Sequence, residues 1–139
     1  MMCFLATLLI TVLPADETHS FIGKWSVIRF TRGEINYPKS LVSNMTAYFT
    51  DKHLLIRHGD VIGELDYTIV NDKEALSIDL VANDGSNKGI KTLGIYSYDK
   101  SSKQLTLYIS LKPNIRPTKI PADPEDEHEL IILKVHEPK

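Results

Sequence analysis

The sequence is poor in the residues that carry most recognisable chemistry. Its 139 residues hold one cysteine, Cys3, one tryptophan, Trp25, and seven glycines. A lone thiol excludes a disulfide framework, a CxxC redox pair and a thiolate zinc site. Excess charge of one sign is missing too. With 16 Lys and Arg against 18 Asp and Glu the formal net charge is −2, so the chain lacks the basic surplus that grips a phosphate backbone, and no nucleic-acid partner is expected. A 24% charged fraction of mixed sign beside 42% hydrophobic residues also excludes a collagen-like or disordered chain. The length suits one domain with a real core rather than two.

Catalytic patterns are equally scarce. The serines have no Gly-x-Ser-x-Gly setting. Gly85, Lys88 and Gly89 lack the Gly-x-x-x-x-Gly-Lys order and a following helix, so they read as a turn rather than a phosphate cradle. His53 and His58, five apart on one strand, point to opposite faces roughly 17 Å apart and make a poor metal pair. Five carboxylates crowd residues 123–129, but without the glycine and ligand spacing of a Ca²⁺ loop they read as hydrated surface. No catalytic residue, metal or cofactor is assigned, and an enzyme is not expected.

A long hydrophobic run occurs once. Residues 1–15 carry no charge, are apolar from Cys3 to Leu13, and are followed at once by Asp16 and Glu17. About eleven apolar residues are too few to span a ~30 Å hydrocarbon layer, and Ala15 supplies a small residue for cleavage. Residues 1–15 are therefore expected to be a signal peptide without a transmembrane segment, and residues 16–139 a single domain exported to the periplasm or beyond. The absence of Lys or Arg before the run departs from the usual signal; the alternative is a buried N-terminal strand or helix. Cleavage after Ala15 would leave the domain without a thiol.

From residue 21 onward the hydrophobic period is two, with short runs separated by turn residues. Strands are predicted over residues 21–32, 45–50, 54–57, 61–70, 76–81, 91–98, 104–111 and 129–135. The turns are short and rich in Asn, Asp, Gly and Ser, so neighbours should be antiparallel hairpins. The expected fold class is all-β, an eight-stranded antiparallel up-and-down barrel. Alternation turns Leu105, Leu107, Ile109 and Leu111 to one face, and likewise Leu65, Tyr67 and Ile69, then Leu76, Ile78 and Leu80, then Ile131, Leu133 and Val135. In the first strand Trp25 and Val27 share one parity while Ile28 and Phe30 claim the other, which predicts a bulge near Val27 and Ile28.

Gly23-Lys24-Trp25, early in the first strand, looks like the Gly-x-Trp signature of lipocalins. That resemblance implies a lipocalin-like barrel whose base is plugged by Trp25, with a basic residue, Lys134 or Arg116, over the indole. The wider pattern resembles an uncharacterised family of secreted planctomycete domains of lipocalin-like outline: Phe21-Ile22-Gly23-Lys24-Trp25, Asn83-Asp84-Gly85 with Lys88-Gly89, Leu93-Gly94-Ile95-Tyr96, Arg116-Pro117-Thr118 and Leu133-Lys134. It implies a fold and an exported setting, and no activity.

Two connections are long, residues 33–44 and residues 112–128, the latter with prolines at 113, 117, 121 and 124. Long loops in small domains are commonly functional or mobile. Two function classes follow. The first is a binding module for a small apolar or amphipathic ligand in the barrel or at its mouth, with Tyr67, Tyr96 and Arg116 as binding candidates and Gly23, Trp25 and Lys134 as structural ones. The second is an interaction or inhibitor module that meets a protein partner through the Pro-rich loop 112–128. N-terminal sequencing of the protein made in its own host is expected to find a chain starting at or near Asp16 outside the cytoplasm; an intact Met1 in the cytoplasm would overturn the signal assignment.

Overall fold

Strands that alternate apolar and polar side chains have one face to bury, and a series of hairpins can bury it by curling until the first strand meets the last. The computed structural model, which describes residues 21–71, 76–83, 85, 88–112 and 114–136, does this. The signal-peptide assignment for residues 1–15 lies outside the described residues.

The strands are β1 (Gly23–Arg32), β2 (Ile35–Asn36), β3 (Met45–Phe49), β4 (His53–His58), β5 (Val61–Asn71), β6 (Leu76–Ala82), β7 (Lys91–Asp99), β8 (Gln104–Ser110) and β9 (His128–Val135), with one helical turn, α1 (Lys39–Val42). The sheet order follows the chain from β3 to β9, β1 pairs with both β3 and β9, and every pairing is antiparallel. The result is a closed, eight-stranded up-and-down barrel with β2 added at one end of β1. All eight strands expected from the alternation are present. β2 and α1 are additions within the 33–44 connection. Gly33, at φ +57°, opens the tight reversal that turns Ile35 back onto Arg32.

The seam between β1 and β9 carries the expected bulge. Val27 faces Leu133, but Arg29 faces Ile132, so the register slips by one residue at Ile28. Trp25 and Val27 point inward before the slip, and Phe30 and Arg32 after it. Ile28 and Arg29 are left on the outer face.

The inner face changes character along the barrel axis. Its lower end, where β1 begins and β9 ends, is filled by Phe21, Trp25, Phe49, Tyr67, Tyr96 and Tyr98. Trp25 is 1% exposed, its indole Nε1–H donates to the Phe21 carbonyl at 2.9 Å, and its ring meets those of Phe49 and Tyr98 edge-on at 6.3 and 6.1 Å. The inward positions near the upper end are small: Gly63 beside Ile56, then Ala82, Thr92 and Gly94. Tyr37, stacked on Phe30 at 5.0 Å, and the buried Val42 of α1 cover the β1 side of this end.

Outside the barrel a second, smaller cluster of Ile95, Tyr108 and Leu130 is covered by Ile120 of the 112–128 connection. That connection lies as a strap along the wall. Arg116 pairs with Asp79 at 2.6 Å and donates to the Gly94 carbonyl at 2.9 Å, while the Glu125 amide donates to the Tyr108 hydroxyl at 3.1 Å.

Trp25→Ala would remove the largest side chain of the lower core and orphan a buried carbonyl. It is expected to cost roughly 3–5 kcal/mol, a large part of the stability of a domain this size. Chemical denaturation checks this, and an unchanged midpoint would contradict the burial of the indole.

Candidate functional site

The hollow part of the barrel follows from that gradient of side-chain size. Above Leu54, Leu107 and Ile131, where the facing side chains include Ala82 and Thr92, the barrel holds an open-mouthed cavity of about 500 Å³. This falls within the 300–1,000 Å³ typical of small-molecule sites. Its walls are mainly aliphatic, from Ile56, Leu65, Leu80 and Ile109 among others. Beneath it the residual space between Val27, Met45, Ala47 and Leu133 shrinks to about 10 Å³, and the aromatic cluster then fills the section. Ile90 and Leu111 form an apolar lip, 54% and 37% exposed.

One charged pair interrupts this lining. Arg32 and Glu129 face each other across the β1–β9 seam, both inward, at the upper level of the cavity. Arg32 Nε donates to Glu129 Oε2 at 2.7 Å, and its Nη2 donates to the same oxygen. The carboxylate raises the guanidinium above its ordinary value, against the opposing effect of partial burial. The Glu129 side chain is only 12% exposed and Arg32 is 52% exposed. A nearly buried carboxylate is thus held by a cation that reaches water at the mouth, the arrangement in which removing the cation is costlier than breaking a surface pair. Thr92, two strands from Glu129, adds a hydroxyl to the same lining.

The residues singled out from the sequence are dispersed. Tyr67 and Tyr96 point inward but belong to the aromatic base; neither lines the cavity. Tyr96 meets Phe21 edge-on at 4.9 Å, while Tyr67 meets Phe49 at 5.2 Å and donates its hydroxyl to the Thr50 carbonyl. Arg116 is on the outer wall, fastening the strap. Lys134 lies opposite Ser26 and is exposed on the outer face, so it is on the other side of the wall from the indole, which Phe21, Phe49 and Tyr98 cover. Gly23 opens β1 at φ +132°, a region that suits glycine. The carboxylates of residues 123–129 are not gathered at one point: Asp123 meets Arg29, Glu127 meets Lys112 and Glu129 meets Arg32. His53 faces outward and contacts Asp66 at 2.7 Å.

Arg32 and Glu129 escaped the sequence reading, although the signal was there. Glu129 shares the parity of Ile131, Leu133 and Val135, which marks an inward carboxylate, and the slip at Ile28 gives Arg32 the parity of Phe30.

Fold and cavity together define a closed antiparallel barrel that is solid below and hollow above. Comparison of the chain with protein-family models, with curated proteins and with solved structures finds no match in any of the three.

The base offers a pH readout. Burial first, and the nearby Asp51 carboxylate second, raise the Tyr67 phenol above its ordinary value of 10.0. A group whose value is higher in the folded state contributes stability below its unfolded value and loses it as pH rises through the folded one. Wild-type stability is therefore expected to fall above about pH 10, and Tyr67→Phe to lose less over the same interval. Urea titrations at a series of alkaline pH values test this; identical slopes for both proteins would contradict it.

Proposed function

We propose that this protein is an exported, lipocalin-like binding module that takes a small apolar or amphipathic molecule into the upper half of its barrel. The observation that carries the reading is the cavity of about 500 Å³, walled by aliphatic side chains and opening at an apolar lip. Burying an aliphatic chain there gains about 0.8 kcal/mol per methylene, so each added methylene should tighten binding roughly fourfold until the space is full. The aromatic base supports the reading indirectly, because a rigid floor spares the ligand the cost of organising its own site. The Gly-x-Trp resemblance and the uncharged head of the chain support the family outline and the export.

Recognition of a protein partner through the Pro-rich loop 112–128 is the lesser reading. That segment spends Arg116, Ile120 and the Glu125 amide on the barrel wall, and such contacts serve to hold it in place.

The neutral fluorescent probe N-phenyl-1-naphthylamine is expected to bind the wild-type protein with enhanced emission. Ala82→Phe, which enlarges a small side chain that lines the cavity, should abolish that binding, with an unchanged far-ultraviolet circular dichroism spectrum showing that the barrel still forms. A probe that ignores the wild type, or binds both proteins alike, overturns the reading.

A further inference from the structure

The charges of this barrel are matched unevenly around its circumference. Around β6 to β9 and the strap, cations meet acids: Arg116 and Lys91 share Asp79, Lys112 meets Glu127, and Arg29 meets Asp123. The outer wall of β1, β3, β4 and β5 differs. The strand register sets its outward side chains in rows, with Lys24, Tyr48 and Leu55 in one and Thr46, Arg57 and Ile62 in the next. Together they surround a shallow hollow of about 370 Å³. Tyr48 and Ile62 are 49% and 47% exposed. Lys24 and Arg57 are exposed too, and among the described residues neither side chain makes a hydrogen bond or an ion pair. Lys134, opposite Ser26 on the flank of the same wall, is likewise exposed and unpaired among them. Acids do little to neutralise these cations. Glu64 lies at the far edge, opposite Leu55, and Asp66 is engaged by His53 and Asn83.

We infer that this wall docks peripherally on an anionic lipid surface. Tyr48 brings an aromatic ring and a hydroxyl to the headgroup level, Leu55 and Ile62 supply aliphatic area, and each free cation that meets the lipid phosphates tightens binding roughly fivefold. The closed ladder disfavours an acidic peptide as the occupant. In this wall β1, β3, β4 and β5 pair their backbone groups with one another, so an added strand finds no edge, whereas a fluid lipid surface requires none. The whole chain carries a formal charge of −2, so attraction to an anionic surface has to come from a local grouping of cations, and that grouping decides which side faces the lipid. The docking is independent of what the cavity holds.

Co-sedimentation with vesicles of the protein isolated from its own host tests this. Binding to phosphatidylcholine vesicles that contain about one-third phosphatidylglycerol is expected to exceed binding to pure phosphatidylcholine by roughly tenfold or more, and to fall by a similar factor when sodium chloride is raised from about 0.05 M to about 0.5 M. Lys24→Gln and Arg57→Gln should each weaken it about fivefold, and Ile62→Ser about fivefold to tenfold. Lys119→Gln removes an exposed cation from the strap and should change nothing. All four positions are exposed, so the variants are expected to keep the fold. Absence of binding to the anionic vesicles, equal binding to both kinds, or an equal loss from Lys119→Gln overturns the inference. So does displacement from the vesicles by poly-glutamate at matched charge, which would mark the wall as a site for acidic protein. None of these results alters the outcome of the probe test on the cavity.

Discussion

The pairing of β1 with β9 is the constraint on which everything inside this protein depends. Without it the sheet is open, with two unpaired edges and an inner face exposed to water. With it, the ring has a fixed circumference and each inward side chain a fixed height. The slip at Ile28 sits in this seam and acts as a phase change. Had β1 continued in register past Val27, Arg29 would face the interior and Phe30 the solvent. One extra residue instead brings in Phe30, and with it Arg32, directly across from Glu129. The hydrogen-bonded ladder that closes the barrel therefore also places its inner ion pair.

Dense packing and open space are separated along the axis. The lower half is tied together by edge-on aromatic contacts and by the indole bond to the Phe21 carbonyl, and leaves almost no space. The upper half gives up part of that cohesion, since an unfilled apolar cavity forfeits contacts its walls could otherwise make. The outer strap offsets some of this from the other side of the sheet. It covers Ile95, Tyr108 and Leu130 behind β7, β8 and β9, strands that also wall the cavity.

Most of the architecture was legible because period-two alternation is a local signal. It located the eight barrel strands, turned Tyr67 inward, and flagged the irregularity at Val27 and Ile28, while Tyr96 was named beside Tyr67 for its aromatic surface. Parity says which face a residue takes but not its height in the barrel, and height puts both tyrosines in the base. Glu129 was misread for a different reason: it ends an acidic run, and composition outweighed the alternation that also pertained to it. For Lys134 the two signals conflict. A family motif suggests a cation over the indole, whereas inward Leu133 and Val135 force Lys134 outward, and the pleat prevails. The path of residues 112–128 follows no periodicity. Arg116 finds Asp79 through long-range packing that only the folded chain displays.

The chain enters the barrel and leaves it at the same end. Trp25 pairs with Val135, and the His136 amide donates to the Lys24 carbonyl at 3.0 Å, so the start of β1 and the end of β9 run side by side at the aromatic floor. A tether or reporter domain joined directly at Phe21 or at His136 would start from the floor, at the end opposite the opening. The same neighbourhood suits the molecule to re-threading: a short flexible link from His136 back to Phe21 would make the ring continuous, and new ends could be cut at an exposed turn without crossing the hollow. A barrel of this kind could be immobilised in one orientation, with its opening presented uniformly to the solution.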